Sequence, residues 1–356
     1  MAWDIYWGLA FGFMLSSLVR AFVPAGTISS RLGKNTPVAV GLSSFFGAIS
    51  SSCSFAAASM ARTLLLKGAT WSNAVVFMVA STNLVFEIFI VIVTLLGWVF
   101  FAGEVAGGLI FIVLTALVVA RVYPSKVKTE ARDKVSKDMH GGEMHGEMQS
   151  EMHGKHEHPA ASVRTKLGEA AGYFYMDVMM VGRDILIGVA IASVLMVVVP
   201  PAFWRALFLS DNSRLPHLAV LAWNALVGIA IAIMAFVCSV GNIVMAAVLW
   251  RGGISFGGVI AFILADLVTV PMLMVYRSYY GLRTMWFLLV VLTGCIFLTA
   301  LMVDLGFGVL HWIPQSPAGR MSRMDHVIVW NWQAWLNILF IPLSLFYFIW
   351  GKRNMR

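Results

Sequence analysis

The sequence predicts an all-α polytopic membrane protein made of two homologous repeats, and three observations carry that expectation. Hydrophobic residues make up 60% of the 356 positions and charged ones 12%, against roughly 45–50% apolar and about 25% charged in a soluble globular domain. Apolar runs long enough to cross roughly 30 Å of hydrocarbon recur from Trp3 to Trp350. A Cys-Ser pair occurs twice inside such runs, as Cys53-Ser54 and Cys238-Ser239, 185 residues apart.

The net charge of +8 points to no nucleic acid, because the Lys and Arg stand in the links between apolar runs, as positive-inside sorting requires. The partner it implies is the lipid bilayer. The three cysteines all fall in apolar stretches, which argues against a disulfide framework. Met1 to Arg20 lacks a basic leader and a small-residue cleavage site, so it reads as a first transmembrane helix.

In order, Trp3–Phe22 is the first span. Val38–Leu66 is apolar but interrupted by Ser50-Ser51-Ser52-Cys53-Ser54. Trp71–Leu96 and Trp98–Ala120 follow, parted by Gly97. A second apolar set comprises Asp184–Leu209, Leu218–Trp250, Phe256–Val275 and Trp286–Val303. A polar link leads to the last span, Trp332–Trp350, and a basic tail. The expected divisions are a membrane repeat over residues 1–122, a cytoplasmic His/Met-rich loop over 123–172, and a second membrane repeat over 173–305. Residues 306–356 supply the polar link, the last helix and the tail.

Shifting the second half onto the first by 185 residues aligns more than the Cys-Ser pairs. Met60-Ala61 falls on Met245-Ala246, Leu64 on Leu249, Gly68 on Gly253, Phe77 on Phe262 and Ala80 on Ala265. Transporters are commonly built from such repeats, with substrate held between them by interrupted helices. The Ser-rich stretch at Cys53 and the run Val237-Cys238-Ser239-Val240-Gly241-Asn242 are the expected interruptions.

The basic residues choose between two topologies. If Val38–Leu66 and Leu218–Trp250 each cross fully, there are nine spans and little charge bias. If both are re-entrant hairpins there are seven, and one side holds only Arg205, Arg214, Arg251, Arg320 and Arg323 of the 25 Lys and Arg. The second arrangement obeys the positive-inside rule better. It makes the repeats inverted and puts the central loop and C-terminus in the cytoplasm.

Several residue types could carry chemistry. Thiols favour soft ions, so Cys53 and Cys238 are candidates to touch substrate, with Ser52, Ser54, Ser239, Asn242 and Asn83 supplying hydrogen bonds beside them. Cys295, in an ordinary apolar helix, reads as a small hydrophobe. Ionisable groups at membrane depth are costly and usually face a pathway, which singles out Asp266 and Glu87 for proton coupling. Glu104 and Asp304 stand near span ends and are expected at the interface.

The central loop holds His140, His145, His153, His156 and His158, five of the eight histidines, interleaved with Met139, Met144, Met148 and Met152. Thioether beside imidazole suits copper or zinc, so the loop is a candidate metal collector. No cofactor is otherwise required. The chain contains no G-x-x-x-x-G-K-[ST] and no C-x-x-C, so nucleotide hydrolysis on a phosphate loop is not expected, and neither is an enzymatic activity.

Two stretches resemble the signature regions of the predicted-permease family that includes the bacterial organoarsenical efflux permeases. One runs Phe46-Gly-Ala-Ile-Ser-Ser-Ser-Cys53-Ser-Phe-Ala-Ala-Ala to Ala80-Ser-Thr-Asn-Leu84. The other runs Cys238-Ser-Val-Gly-Asn242 through Leu249-Trp-Arg-Gly-Gly-Ile-Ser-Phe-Gly-Gly258 to Ala265-Asp266-Leu267. The resemblance implies a permease of the bacterial inner membrane, exporting in its best-known members trivalent methylated or aromatic arsenicals. Such thiophilic cargo would suit Cys53 and Cys238. The His/Met loop departs from what arsenical export requires. A copper-handling protein working through that loop, and a membrane thiol oxidoreductase passing electrons between Cys53 and Cys238, are the alternatives.

Overall fold

The computed structural model describes residues 6, 10, 11, 14, 17, 18, 36–50, 54–66, 68–122, 165–175, 178, 179, 203, 206–209, 216–234, 239–314 and 332–354. Among them every regular element is helical and no strand occurs. The first half contributes α1 (Pro37–Ser50), α2 (Ser54–Leu66), α3 (Trp71–Asn83), α4 (Phe86–Leu95) and α5 (Trp98–Val122). The second contributes α6 (His217–Met234), α7 (Ser239–Gly252), α8 (Phe256–Leu264), a 3-10 turn (Ala265–Val268), α9 (Val270–Tyr280) and α10 (Leu282–Val309). The last helix is α11 (Trp332–Asn354).

Five stretches of the described residues are long and apolar enough to cross a bilayer: Trp98–Val122, His217–Met234, Phe256–Tyr280, Leu282–Val309 and Trp335–Asn354. A sixth arises if α3 and α4, bent by 43° at their junction, count as one. The protein is therefore a multi-pass membrane protein. Most of the first span read from sequence, Trp3–Phe22, and most of Asp184–Leu209 lie outside the described residues, as does the loop from 123 to 164.

Helix ends in lipid must satisfy their own backbone groups, since no water is there to do it. α2 ends on Gly68 at φ 96°, where the Gly68 N–H donates to Leu65 at 3.1 Å and the Ala69 N–H to Leu64 at 2.9 Å. α7 ends on Gly253 at φ 97°, with Gly253 donating to Trp250 at 3.1 Å and Ile254 to Leu249 at 3.3 Å. Both are the paired 6→1 and 5→2 closure that a left-handed glycine allows. The next helices start alike. The Thr70 hydroxyl accepts from the Asn73 N–H before α3, and the Ser255 hydroxyl accepts from the Gly258 N–H before α8. Each of these features recurs at a spacing of 185 residues.

α3 and α8 are the central rods, buried along their whole length. α1 and α2 pack on α3, while α6 and α7 pack on α8. Small residues let the backbones approach: a Cβ on Gly47 would stand 2.6 Å from the Phe77 carbonyl oxygen, and one on Gly228 would stand 2.4 Å from that of Gly258. Contacts of this kind hold membrane helices together where lipid removes the hydrophobic drive. The Ser72 hydroxyl adds a bond to the Ala116 carbonyl, 3.0 Å, joining α3 to α5.

The halves meet reciprocally. α2 packs on α9 of the second half, and α7 packs on α4 of the first. Phe100 meets both Trp250 and Phe256, with ring centroids 4.9 and 4.8 Å apart, and Trp71 meets Tyr280 at 5.0 Å. Between them α5 and α10 run antiparallel. Gly107 faces Val303, and two turns further along α5, Thr115 faces Cys295, two turns earlier on α10. α11 lies apart from this core, where Tyr347 packs with Ala170, Ala171 and Phe174 of the helical stretch at 165–175.

One expectation is corrected here. Trp71–Leu96 is not one continuous helix, because Leu84 and Val85 leave the helical conformation, Val85 being extended at φ −104° and ψ 141°. Glu104 and Asp304 are buried within the protein, 0% and 4% exposed. Asp304 faces the start of α8, bonding to the Ser255 side chain and the Gly257 backbone. An acceptor there complements the helix N-terminus.

Candidate functional site

The break between α8 and α9 follows from one residue. Pro271 has no N–H to return to the carbonyl four positions earlier, Leu267, and is tolerated in a helix only in its first turn. The helix tightens into the 3-10 turn Ala265–Val268, then Thr269 is extended at φ −64° and ψ 151° before α9 resumes with a proline in its first turn. Asp266 sits in that turn and is 3% exposed.

A carboxylate at such depth is costly unless it is paired. The Ser54 hydroxyl donates to Asp266 Oδ2, and the Asn242 amide donates to Oδ1 at 3.4 Å. The Thr269 hydroxyl donates to the backbone oxygen of Asp266, also at 3.4 Å. Ser54 is the first residue of α2 and Asn242 the fourth of α7. The N-terminal turns of two helices, one from each half, thus supply the donors, and the positive ends of their dipoles favour negative charge there.

Of the residues singled out from sequence, Ser54, Asn242 and Asp266 are brought together. Asn83 is buried but spends its amide within its own helix, donating to the Val79 carbonyl at 3.0 Å and the Thr82 hydroxyl at 3.2 Å. Helix α3, which Asn83 ends, touches the 265–268 turn. Cys53, Cys238 and Ser52 lie outside the described residues, as do the loop residues Met139, His140, Met144, His145, His153, His156 and His158. Ser239 and Glu87 are described in backbone only, as the first residue of α7 and the second of α4. Among the described residues no group of three or more His, Cys, Asp or Glu could hold a metal ion. Cys295 is buried in α10, as expected of a small hydrophobe.

Sequence reasoning missed Thr269 and Tyr280. The signal for Thr269 was Pro271, which marks the end of a helix even inside an apolar run. Tyr280 donates its hydroxyl to the Ala58 carbonyl in α2, 3.1 Å away, fixing α9 to the helix that presents Ser54. Nothing in the spacing of single residues foretells that contact across 222 positions.

A polar junction between two halves, buried at helix breaks, is a transporter's arrangement. The comparison with known sequences agrees, since a family described as predicted permease matches residues 1–305. The chain belongs to that family. A Mycobacterium tuberculosis protein named as a candidate permease is 37% identical over 332 residues, covering 90% of this chain and 78% of that protein. No solved structure matches the chain. This permease is accordingly a membrane transport protein, and Ser54, Asn242 and Asp266 are the polar centre of its buried core.

Proposed function

We propose that this permease is a secondary exporter of a soft metal or metalloid species, of the trivalent organoarsenical kind, in a bacterial inner membrane. Cys53 and Cys238 bind the cargo, and Asp266 couples its movement to protons, with Glu87 a second candidate for that role. The observation that carries the reading is the junction of Ser54 and Asn242 on Asp266. Cys53 directly precedes Ser54 in the chain, and Cys238 stands four residues before Asn242. A thiol pair for cargo would then flank a carboxyl for the coupling ion.

The same reading takes the chain as two inverted repeats, 1–122 and 173–305, joined by the loop 123–172. The matched glycine closures and hydroxyl caps support it, as do the reciprocal contacts of α2 with α9 and α7 with α4. The antiparallel course of α5 and α10 favours inversion, because equivalent helices in a parallel duplication would run the same way. A polar residue on an interrupted helix at the repeat interface is the usual form of a substrate or ion site.

Everted membrane vesicles carrying the protein test the reading. Uptake of a trivalent methylarsenical, antimonite, copper or silver should exceed that of control vesicles, and Cys53→Ser or Cys238→Ser should abolish it. Undiminished uptake in both variants would remove the thiols from the mechanism. The His/Met composition of the loop supports a second role, gathering copper or zinc at the cytoplasmic face.

A further inference from the structure

Glu104 is the only acid in α5, and its side chain is 0% exposed. Neither carboxyl oxygen has a hydrogen-bond partner among the described residues. The residue stands past the first turn, so the free N–H groups of its own helix do not serve it. One turn before it, Phe100 packs on Trp250 and Phe256, with centroids 4.9 and 4.8 Å away. One turn after it, a Cβ on Gly108 would stand 2.7 Å from the Leu84 side chain. Beside it, Gly103 lies against Phe256 and Ile260, and Gly107 against Ile260, Leu264 and Val303.

The elements packed on α5 supply no counter-charge bonded to this carboxyl. α3 and α8 contain no ionisable residue. α4 carries Glu87, and α10 carries Arg283, Cys295 and Asp304. α7, which reaches Phe100 through Trp250, carries Arg251. Neither arginine bonds to a Glu104 oxygen. Asp304 is held by Ser255 and Gly257, and Asp266, in the turn after α8, by Ser54 and Asn242. Asp266 thus shows the contrast: a hydroxyl, an amide and two helix N-termini are aimed at its charge. A carboxyl with no such donor is tolerated in an apolar core only in its neutral form.

We propose that Glu104 is a proton-binding site of the permease, separate from Asp266, holding its proton while the second half covers α5 and releasing it when the halves part. Ionisable groups at membrane depth ordinarily face a pathway. The cover over this stretch of α5 comes largely from Phe256, Ile260 and Leu264 of the other half, so movement of one repeat against the other admits water. The carboxyl O–H bond then breaks, the proton passes to water, and the carboxylate left behind is hydrated. The use of that proton in coupling rests on the exporter reading above, whereas the proton itself is observable without cargo.

Infrared spectroscopy of the full-length protein in nanodiscs at neutral pH tests the inference. The difference between wild type and Glu104→Gln should contain the C=O band of a protonated carboxyl, and transfer to heavy water should shift that band to lower frequency. Absence of the band would overturn the inference, because Glu104 would then be ionised. A band still unshifted after overnight exchange would overturn it as well, because the carboxyl would never meet water. Should Glu104→Gln not fold, Glu104→Leu yields the same difference. Uptake of a trivalent methylarsenical into everted vesicles separates this result from the reading beneath it: no uptake by the wild type would overturn the exporter and leave the infrared result standing.

Discussion

Ser54 and Asp266, 212 positions apart, share a hydrogen bond that joins the first turn of α2 to the broken end of α8. Asp266→Asn keeps the shape and both potential donors but removes the charge and the proton. Bonds to a charged group are worth roughly 1.5–3 kcal/mol, so transport should fall about tenfold or more. The variant should still elute as a single folded species. Vesicle uptake and gel filtration in detergent measure the two effects.

The close approach of α1 to α3 and of α6 to α8 depends on hydrogen at two Cα atoms. Gly228→Val or Gly47→Val would drive a side chain into a backbone oxygen, and overpacking of that kind costs about 1–3 kcal/mol. Gly41→Val provides the control, because a Cβ there meets nothing within 4 Å. Thermal unfolding should rank Gly41→Val as harmless and the other two as damaging. Equal Tm values for all three would contradict the packing.

Gly68 and Gly253 close α2 and α7 in the left-handed region, and a Cβ on Gly68 would meet nothing within 4 Å. Gly68→Ala and Gly253→Ala should each cost about 1–2 kcal/mol through backbone strain alone. The two losses should match, since the turns have the same bonds. A loss at one position without the other would show that the two ends differ in what they support.

Deleting residues 139–158 removes all five clustered histidines. Transport by the pathway should survive, because no residue of the Ser54–Asn242–Asp266 junction lies there. Copper or zinc bound per protein, read by elemental analysis after dialysis, should drop. Lost uptake together with intact folding would instead place the loop in the transport path.

How far the sequence reaches is clearest at Asp266 and at Val85. Hydropathy marks long apolar runs, so membrane class and the helical segments were legible. An aspartate in such a run stands out by its cost in lipid, and a Cys-Ser pair repeated at a fixed interval stands out by its rarity. Ser54 and Asn242 were legible as neighbours of those pairs, though not as partners of one carboxyl. That pairing depends on how α2 and α7 cross the central rods, which hydropathy does not encode. The break at Val85 carries no proline, so nothing in a run of Val, Phe and Ile announced it. Glu104 and Asp304 were legible as acids near span ends, whereas their burial is set by neighbouring helices. Tyr280 was invisible because an aromatic in an apolar helix is ordinarily packing.

The reciprocal packing of α2 on α9 and of α7 on α4 has a consequence for biosynthesis. When residues 1–122 have been inserted, the faces of α2 and α4 that the second half will cover are still uncovered, and Ser54 has no carboxyl to meet. Those faces are completed only after some 150 further residues have left the ribosome. A chain truncated in the central loop should therefore be a substrate for membrane proteases, not a stable half. Co-expressing the missing half as a separate polypeptide should protect it.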